Sequence, residues 1–296
     1  MSDSFRCGFV ALIGRPNTGK STLMNALIGE KLSITAQKPQ TTRHQILGIR
    51  SNASSQAIFV DTPGIHSQQG KAINRYMNRA ATSVLDDVDL ICWLVDARRL
   101  TEDDNRISSM LEKRDNVVVV LNKCDLVAKD ELLPMMERLS KHLPDVDIVP
   151  VSALKQDNLD TLMSRIEKSL PFGEPQFDDD QLTDRPMRFI VAEIVREKLF
   201  RRLSQELPYS VTVDVENYLV EADMLRISAS IWVERKSQKG IVIGKGGALL
   251  KQIGSDARKD IEKLSGQKVY LQLWVKVRED WSDDERSLAA FGYSNE

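Results

Sequence analysis

Gly14-Arg15-Pro16-Asn17-Thr18-Gly19-Lys20-Ser21 fits the pattern G-x-x-x-x-G-K-[ST]. It stands directly after the apolar run Phe9 to Ile13 and before Leu23, Met24, Leu27 and Ile28, which share one face of a helix. A strand that turns into a helix through glycines exposes successive backbone N–H groups, and the helix amino end adds its own partial positive charge. The expected ligand is therefore a polyphosphate held by residues 14–21, with Thr22 in the first helical turn. Lys20 would offer a charge to the β and γ phosphates and the Ser21 hydroxyl a ligand to magnesium.

Outward from this junction the pattern repeats. Apolar runs at Phe9 to Ile13, Ala57 to Val60, Asp89 to Val95, Asn116 to Leu121 and Asp147 to Val151 alternate with amphipathic segments or turns. Val117-Val118-Val119-Val120-Leu121 lacks polar alternation, as expected of a strand covered on both faces. The fold class expected is α/β, a mostly parallel sheet flanked by helices.

Three further segments fall where such a sheet places its functional loops. Asp61-Thr62-Pro63-Gly64 follows a strand; the Asp61 carboxylate can reach magnesium and the Gly64 amide can approach the γ phosphate. Asn122-Lys123-Cys124-Asp125 selects the base, because a carboxylate at Asp125 accepts two parallel hydrogen bonds from the ring N–H and exocyclic amine of guanine. Lys123 can lay its stem along the base, and Asn122 can tie this loop to the phosphate loop. Ser152-Ala153-Leu154 brings a backbone amide to the guanine keto oxygen. Together these segments imply GTP and GDP as ligands.

These boxes resemble the translation-factor-related GTPases, and nearly the whole chain resembles the Era family of ribosome-assembly GTPases. The resemblance implies that Thr42 is the switch threonine on magnesium, with Thr41 as the adjacent alternative. It makes Ser33 to Gln45 the first switch and Asp61 to about Arg79 the second. Lys20, Thr42 and Gly64 become the catalytic set, and Ser21, Thr42 and Asp61 the metal set. Ile65 stands where Ras-type enzymes carry the water-orienting glutamine, so unaided hydrolysis is expected to be slow. His66 is a candidate general base, weighed against a solvated switch histidine. Asn17 resembles an asparagine that coordinates potassium in related GTPases, which makes potassium a second candidate ion.

Past Pro171 the composition changes to proline, glycine and a run of aspartates, marking residues 175–185 as a linker after a GTPase domain at 1–174. Residues 186–280 read as a smaller α+β domain: an amphipathic helix over Met187 to Leu207, two alternating strands, a glycine-rich turn, a helix over Ala248 to Leu264 and a last strand. From Arg185 to Arg278 there are 18 basic against 11 acidic residues, a net of +7, whereas Met1 to Asp180 nets -3. Arg235, Lys236, Lys239, Lys245 and Lys251 lie in a stretch without acidic residues, around Ile243-Gly244-Lys245-Gly246-Gly247. A G-x-x-G turn in this helix order resembles a type II KH domain, which implies single-stranded RNA at the loop and its cations. Trp232, Tyr270 and Trp274, at alternating strand positions, could stack on bases, but strand aromatics in this pattern more often belong to the core, and the loop is the expected RNA contact. Residues 281–296 form an acidic tail, either folded back or mobile.

The resemblance further implies the 3′ end of 16S ribosomal RNA as the RNA, the small ribosomal subunit as partner, maturation of that subunit as the role, and peripheral association with the inner face of the cell membrane. No DNA partner is expected. The competing reading is a signalling GTPase whose second domain binds a protein or membrane partner. With a whole-chain charge of -2, three sparse cysteines and no apolar window near ~20 residues, the chain reads as a cytoplasmic protein without disulfides.

Overall fold

The structure is a computed structural model that describes residues 4–36, 38, 40–65, 71–204 and 206–293. His66 lies outside these residues. The chain forms two compact units, one of residues 1–33, 42–68 and 77–184, the other of 34–41, 69–76 and 185–296.

The first unit contains β1 (Arg6–Ile13), α1 (Lys20–Ile28), β2 (Ile46–Ser51), β3 (Ser55–Asp61), α2 (Ala72–Ser83), β4 (Leu90–Asp96), α3 (Glu102–Leu111), β5 (Val117–Asn122), α4 (Lys129–His142), β6 (Asp147–Val151) and α5 (Leu159–Ser169), except that α2 begins in residues grouped with the second unit. Its sheet runs β2-β3-β1-β4-β5-β6. All neighbours pair in parallel except β2, which pairs antiparallel with β3. Every residue of β3, β4 and β5 is buried, as a sheet covered on both faces requires. β2 is the strand that the sequence reading did not place. As an edge strand with β3 as its one ladder neighbour, placed straight after a polar stretch, it has a weak local pattern.

The second unit contains α6 (Met187–Arg202), β7 (Val211–Val220), β8 (Met224–Val233), α7 (Lys236–Ile243), α8 (Ala248–Ser265), β9 (Lys268–Val277) and α9 (Glu285–Ala290). β7 and β8 form an antiparallel pair, and β9 lies parallel to β8. Parallel neighbours need a long crossover, and here it is α7, a short glycine loop and α8. Ile190, Ile194, Ile227, Ile231, Ile253 and Ile261 belong to the core between helices and sheet.

Two sequence expectations change here, and a third point, open in the sequence, is decided. α6 stops at Arg202 rather than Leu207, with a 3-10 turn at Leu207–Ser210. Residues read as apolar flank to the glycine turn form α7. Residues 281–293 of the acidic tail are folded: Trp281 is fully buried, its Nε1 donates to the Ser210 carbonyl at 3.2 Å, and Asp284 caps α9 by accepting the Ser287 amide at 2.8 Å.

α6 also buries charge. Arg196 is 1% exposed and its guanidinium forks onto Glu193 at 2.7 and 2.5 Å. The same group donates to the Thr41 carbonyl at 2.6 Å, while Glu197 accepts the Thr35 amide at 3.1 Å. A buried ion pair is sustainable only when its remaining valences are satisfied, and backbone groups of residues 34–41 do part of this.

Candidate functional site

In the first unit the loops after β1, β3, β4, β5 and β6 all leave the carboxyl edge of the sheet, where ligands of open α/β sheets bind. Gly19 is the N-cap of α1, so the phosphate loop runs directly into that helix amino end. Lys20 is buried, its ammonium donating to the carbonyls of Gly14 at 3.0 Å and Arg15 at 3.1 Å. Burial pushes this amine down to about 8, against the opposing pull of the Asp61 carboxylate.

Around Asp61 three hydroxyls converge. Ser21 Oγ donates to Asp61 Oδ2 at 2.7 Å and lies 2.7 Å from Thr42 Oγ1, and Ser33 Oγ donates to the same carboxylate oxygen at 2.7 Å. Asp61 Oδ1 is buried with no hydrogen-bond partner. Burial raises the Asp61 pKa, and the hydroxyl hydrogen bonds oppose that rise. A buried carboxylate with one unsatisfied oxygen among hydroxyls is the hard-oxygen set that fits magnesium. Of the two adjacent threonines, Thr42 reaches this cluster, whereas the Thr41 hydroxyl donates to the Lys38 carbonyl at 2.7 Å.

Gly64 comes so close to the phosphate loop that a Cβ there would lie 2.7 Å from Pro16 N. The next amide, of Ile65, donates to the Gly14 carbonyl at 3.2 Å, and the Ile65 side chain packs against the apolar cluster that contains Trp93. The Thr62 hydroxyl is spent on the Leu12 carbonyl at 2.8 Å.

At the base-recognition loop Asn122 Nδ2 donates to the Thr18 carbonyl at 2.8 Å, and its Oδ1 accepts the Ala153 amide at 3.0 Å. Ser152 Oγ donates to Asp125 Oδ1 at 2.6 Å, which orients the carboxylate. Leu154 is largely exposed beside them. The sequence reading has Ser33 only as the start of the first switch, not as a partner of Asp61, and it misses Asn25, whose Oδ1 accepts the Leu32 and Ser33 amides at 3.0 and 2.9 Å. Neither role belongs to a spaced motif; the return of the chain after α1 brings Ser33 to Asp61 and the Leu32 and Ser33 amides to Asn25.

In the second unit the α7–α8 turn carries Gly244, Lys245, Gly246 and Gly247. Gly246 has φ 60°, a conformation that L side chains rarely adopt, and nothing lies within 4 Å of its missing Cβ. A nucleic-acid backbone can approach such a turn closely. Arg235, Lys236, Lys239, Lys245 and Lys251 are all exposed, while Ile243 packs on the core. Beside the turn a cleft of about 280 Å³ is lined by Arg202, Leu203, Ser204, Glu206, Leu207, Gln238, Ile241 and Leu249. Tyr270 and Trp274 are 46% and 44% exposed, contrary to their expected core position. They stand on the sheet face opposite the helices, whereas Trp232 on that face packs against Phe291. Among the described residues no group of three or more His, Cys, Asp or Glu is placed to hold a metal, and no helix is long and apolar enough to cross a membrane.

The fold and these loops define a phosphate-loop GTPase joined to a KH unit. Residues 9–123 match the family model of the 50S ribosome-binding GTPases, and residues 206–282 that of the KH domain. GTPase Era of Azotobacter vinelandii is 51% identical over 293 residues, covering 98% of each chain, and that of Ectopseudomonas mendocina is 50% identical with 97% of each covered. Two solved structures align with a TM-score of 0.94 at 40% identity. One is an Aquifex aeolicus Era variant bound to GDP and aluminium fluoride, covering 98% of this chain and 100% of that one; the other is Era in complex with MgGDPNP and nucleotides 1506–1542 of 16S ribosomal RNA, covering 98% and 99%. The chain belongs to the Era family of GTPases, and it is a GTP-binding and GTP-hydrolysing switch.

Proposed function

We propose that this GTPase binds the single-stranded 3′ end of 16S ribosomal RNA through its KH unit and serves maturation of the small ribosomal subunit. The observation that carries this reading is the open Gly244–Gly247 turn between α7 and α8, flanked by five exposed cations and a cleft lined by both apolar and polar side chains. A relative of 40% identity that binds nucleotides 1506–1542 of this RNA supports it.

The phosphate-loop residues 14–22, with Asp61, Thr62, Pro63 and Gly64, hold the phosphates. Asn122, Lys123, Asp125, Ser152, Ala153 and Leu154 hold the guanine. Ser21, Thr42 and Asp61 would hold magnesium, which would supply positive charge to the β and γ phosphates. Lys20 adds a second positive group there, and the Gly64 amide positions the γ phosphate. Ile65 offers no group to orient water, so the intrinsic rate is slow and potassium at Asn17 is a means of raising it. The protein works in the cytoplasm, with peripheral membrane contact as a further association of the same chain.

Equilibrium binding of the 3′-end RNA with a GTP analogue or GDP, over a salt series, tests the reading. The expected result is tighter binding with the analogue, lost in Gly246→Asp because a carboxylate meets the phosphate backbone. Affinity should fall with salt, and Lys245→Gln should lessen the log–log slope by about 0.7. RNA binding that ignores both nucleotide and variant would favour a signalling switch with a protein partner.

A further inference from the structure

The geometry points to Asp96 as a positioning residue for guanine-nucleotide binding, one that acts by holding the Lys123 ammonium against the phosphate loop. The inference rests on the reading of residues 122–125 as the base-recognition loop.

Asp96 ends β4, directly paired in the ladder with Asn122 at the end of β5. It is 1% exposed and is gripped from several sides. Its Oδ1 accepts the Arg98 amide at 3.1 Å and Arg98 Nε at 2.9 Å, which closes a local turn. Oδ2 accepts Arg98 NH2 at 2.7 Å and faces inward, where it also accepts Lys123 Nζ at 2.8 Å. Arg15 of the phosphate loop reaches to 3.9 Å from that oxygen and is itself held by Asp104 at 2.9 Å.

Lys123 has little freedom of its own. Its backbone is left-handed at φ 68°, and its ammonium also donates to the Asn17 carbonyl at 2.5 Å. With Nζ held at both Asp96 and Asn17, the four-carbon stem is stretched between the base-recognition loop and the phosphate loop. A lysine stem fixed in this way offers a flat apolar edge to a purine, whereas a free one would lose rotamer entropy on binding it. Burial alone would raise the Asp96 pKa. The hydrogen bonds from Arg98 and Lys123 outweigh it and hold the carboxyl well below the usual carboxylate range, so it stays ionised at neutral pH.

The rival explanation is that Asp96 only stabilises the turn at Ala97–Arg99. A double-mutant cycle on the full chain separates the two. Binding of fluorescent GDP is titrated for wild type, Asp96→Asn, Lys123→Met and the double variant, with thermal melting of each nucleotide-free protein. The proposal predicts that each single change weakens GDP binding about ten-fold, the worth of one charge-assisted hydrogen bond, and that the double variant is no weaker than Lys123→Met within about two-fold. Penalties that multiply in the double variant overturn it, as does an Asp96→Asn protein with wild-type affinity. If Lys123→Met itself binds normally, the base-loop reading fails rather than the positioning step. Should Asp96→Asn not melt cooperatively, Asp96→Glu, which keeps the charge but displaces the oxygen, is taken through the same cycle with the same criterion.

Discussion

Asn122 and Thr18 are joined by a 2.8 Å hydrogen bond, the side-chain amide of one donating to the main-chain carbonyl of the other. The bond spans 104 positions of sequence and ties the base-recognition loop to the phosphate loop. Asn122 is 2% exposed, so Asn122→Ala strands a buried carbonyl and the Ala153 amide together. The expected cost is about 1–3 kcal/mol of stability per stranded group, with GDP and GTP affinity falling in parallel. Chemical denaturation and nucleotide titration of the variant check both; a variant that loses stability but keeps its affinity would make the tie purely structural.

The hydroxyl cluster at Asp61 makes the metal dependence testable without measuring turnover. Ser21→Ala removes one proposed ligand and one of the hydrogen bonds to Asp61 Oδ2. GTP-analogue binding to wild type should tighten on adding magnesium, and the variant should show little of that gain. Titration in magnesium and in a chelator gives the comparison. An unchanged magnesium effect would remove Ser21 from the ligand set.

Arg196 presents a different dependence. It satisfies the Thr41 carbonyl, and Thr41 is one peptide bond from Thr42, the proposed magnesium ligand. Arg196→Met removes the guanidinium from the buried Glu193 carboxylate, at a cost of about 3–5 kcal/mol. Adding Glu193→Gln should recover much of the stability. If the Thr41 bond matters to the switch, the stable double variant will still bind the GTP analogue more weakly relative to GDP than wild type does. An unaltered ratio of the two affinities would confine Arg196 to structure.

Trp281 tests the folded carboxy-terminal segment. Its ring is fully buried, stacked 6.1 Å from Tyr293 and edge-on to Phe291 at 5.5 Å. Trp281→Ala should destabilise the second unit by about 3–5 kcal/mol and reduce RNA binding, with nucleotide affinity preserved. A loss under about 1 kcal/mol would mean that the segment contributes little to the fold.

Much of the nucleotide site was legible because its chemistry is written in short, ordered strings. A phosphate loop needs its glycines, lysine and serine within eight positions, so Gly14 to Ser21 announces itself, and Asn122 to Asp125 does the same for guanine. Ser33, Asn25 and Asp96 carry no such string. Each is an ordinary polar residue until folding brings Ser33 to Asp61, Asn25 to the Leu32 and Ser33 amides and Asp96 to Lys123, and their roles are properties of distance rather than of order.

The second unit shows the same division. Alternating apolar residues in β7, β8 and β9 and the glycine turn were sufficient to foresee an α+β unit with a three-stranded sheet. α7 was not foreseen, because Gly240 and the β-branched Ile241, Val242 and Ile243 are poor helix formers that tertiary packing overrides. Nor could alternation say which face of a strand is covered: Tyr270 and Trp274 have the period of core residues but lie on the open side. By itself the sequence determined the ligand chemistry and the element types, since both depend on residues near one another along the chain. Only the tertiary structure decided which buried charges pair, which face of the second sheet stays open and which lone polar residues support the site, since those energies arise between groups that folding alone brings together.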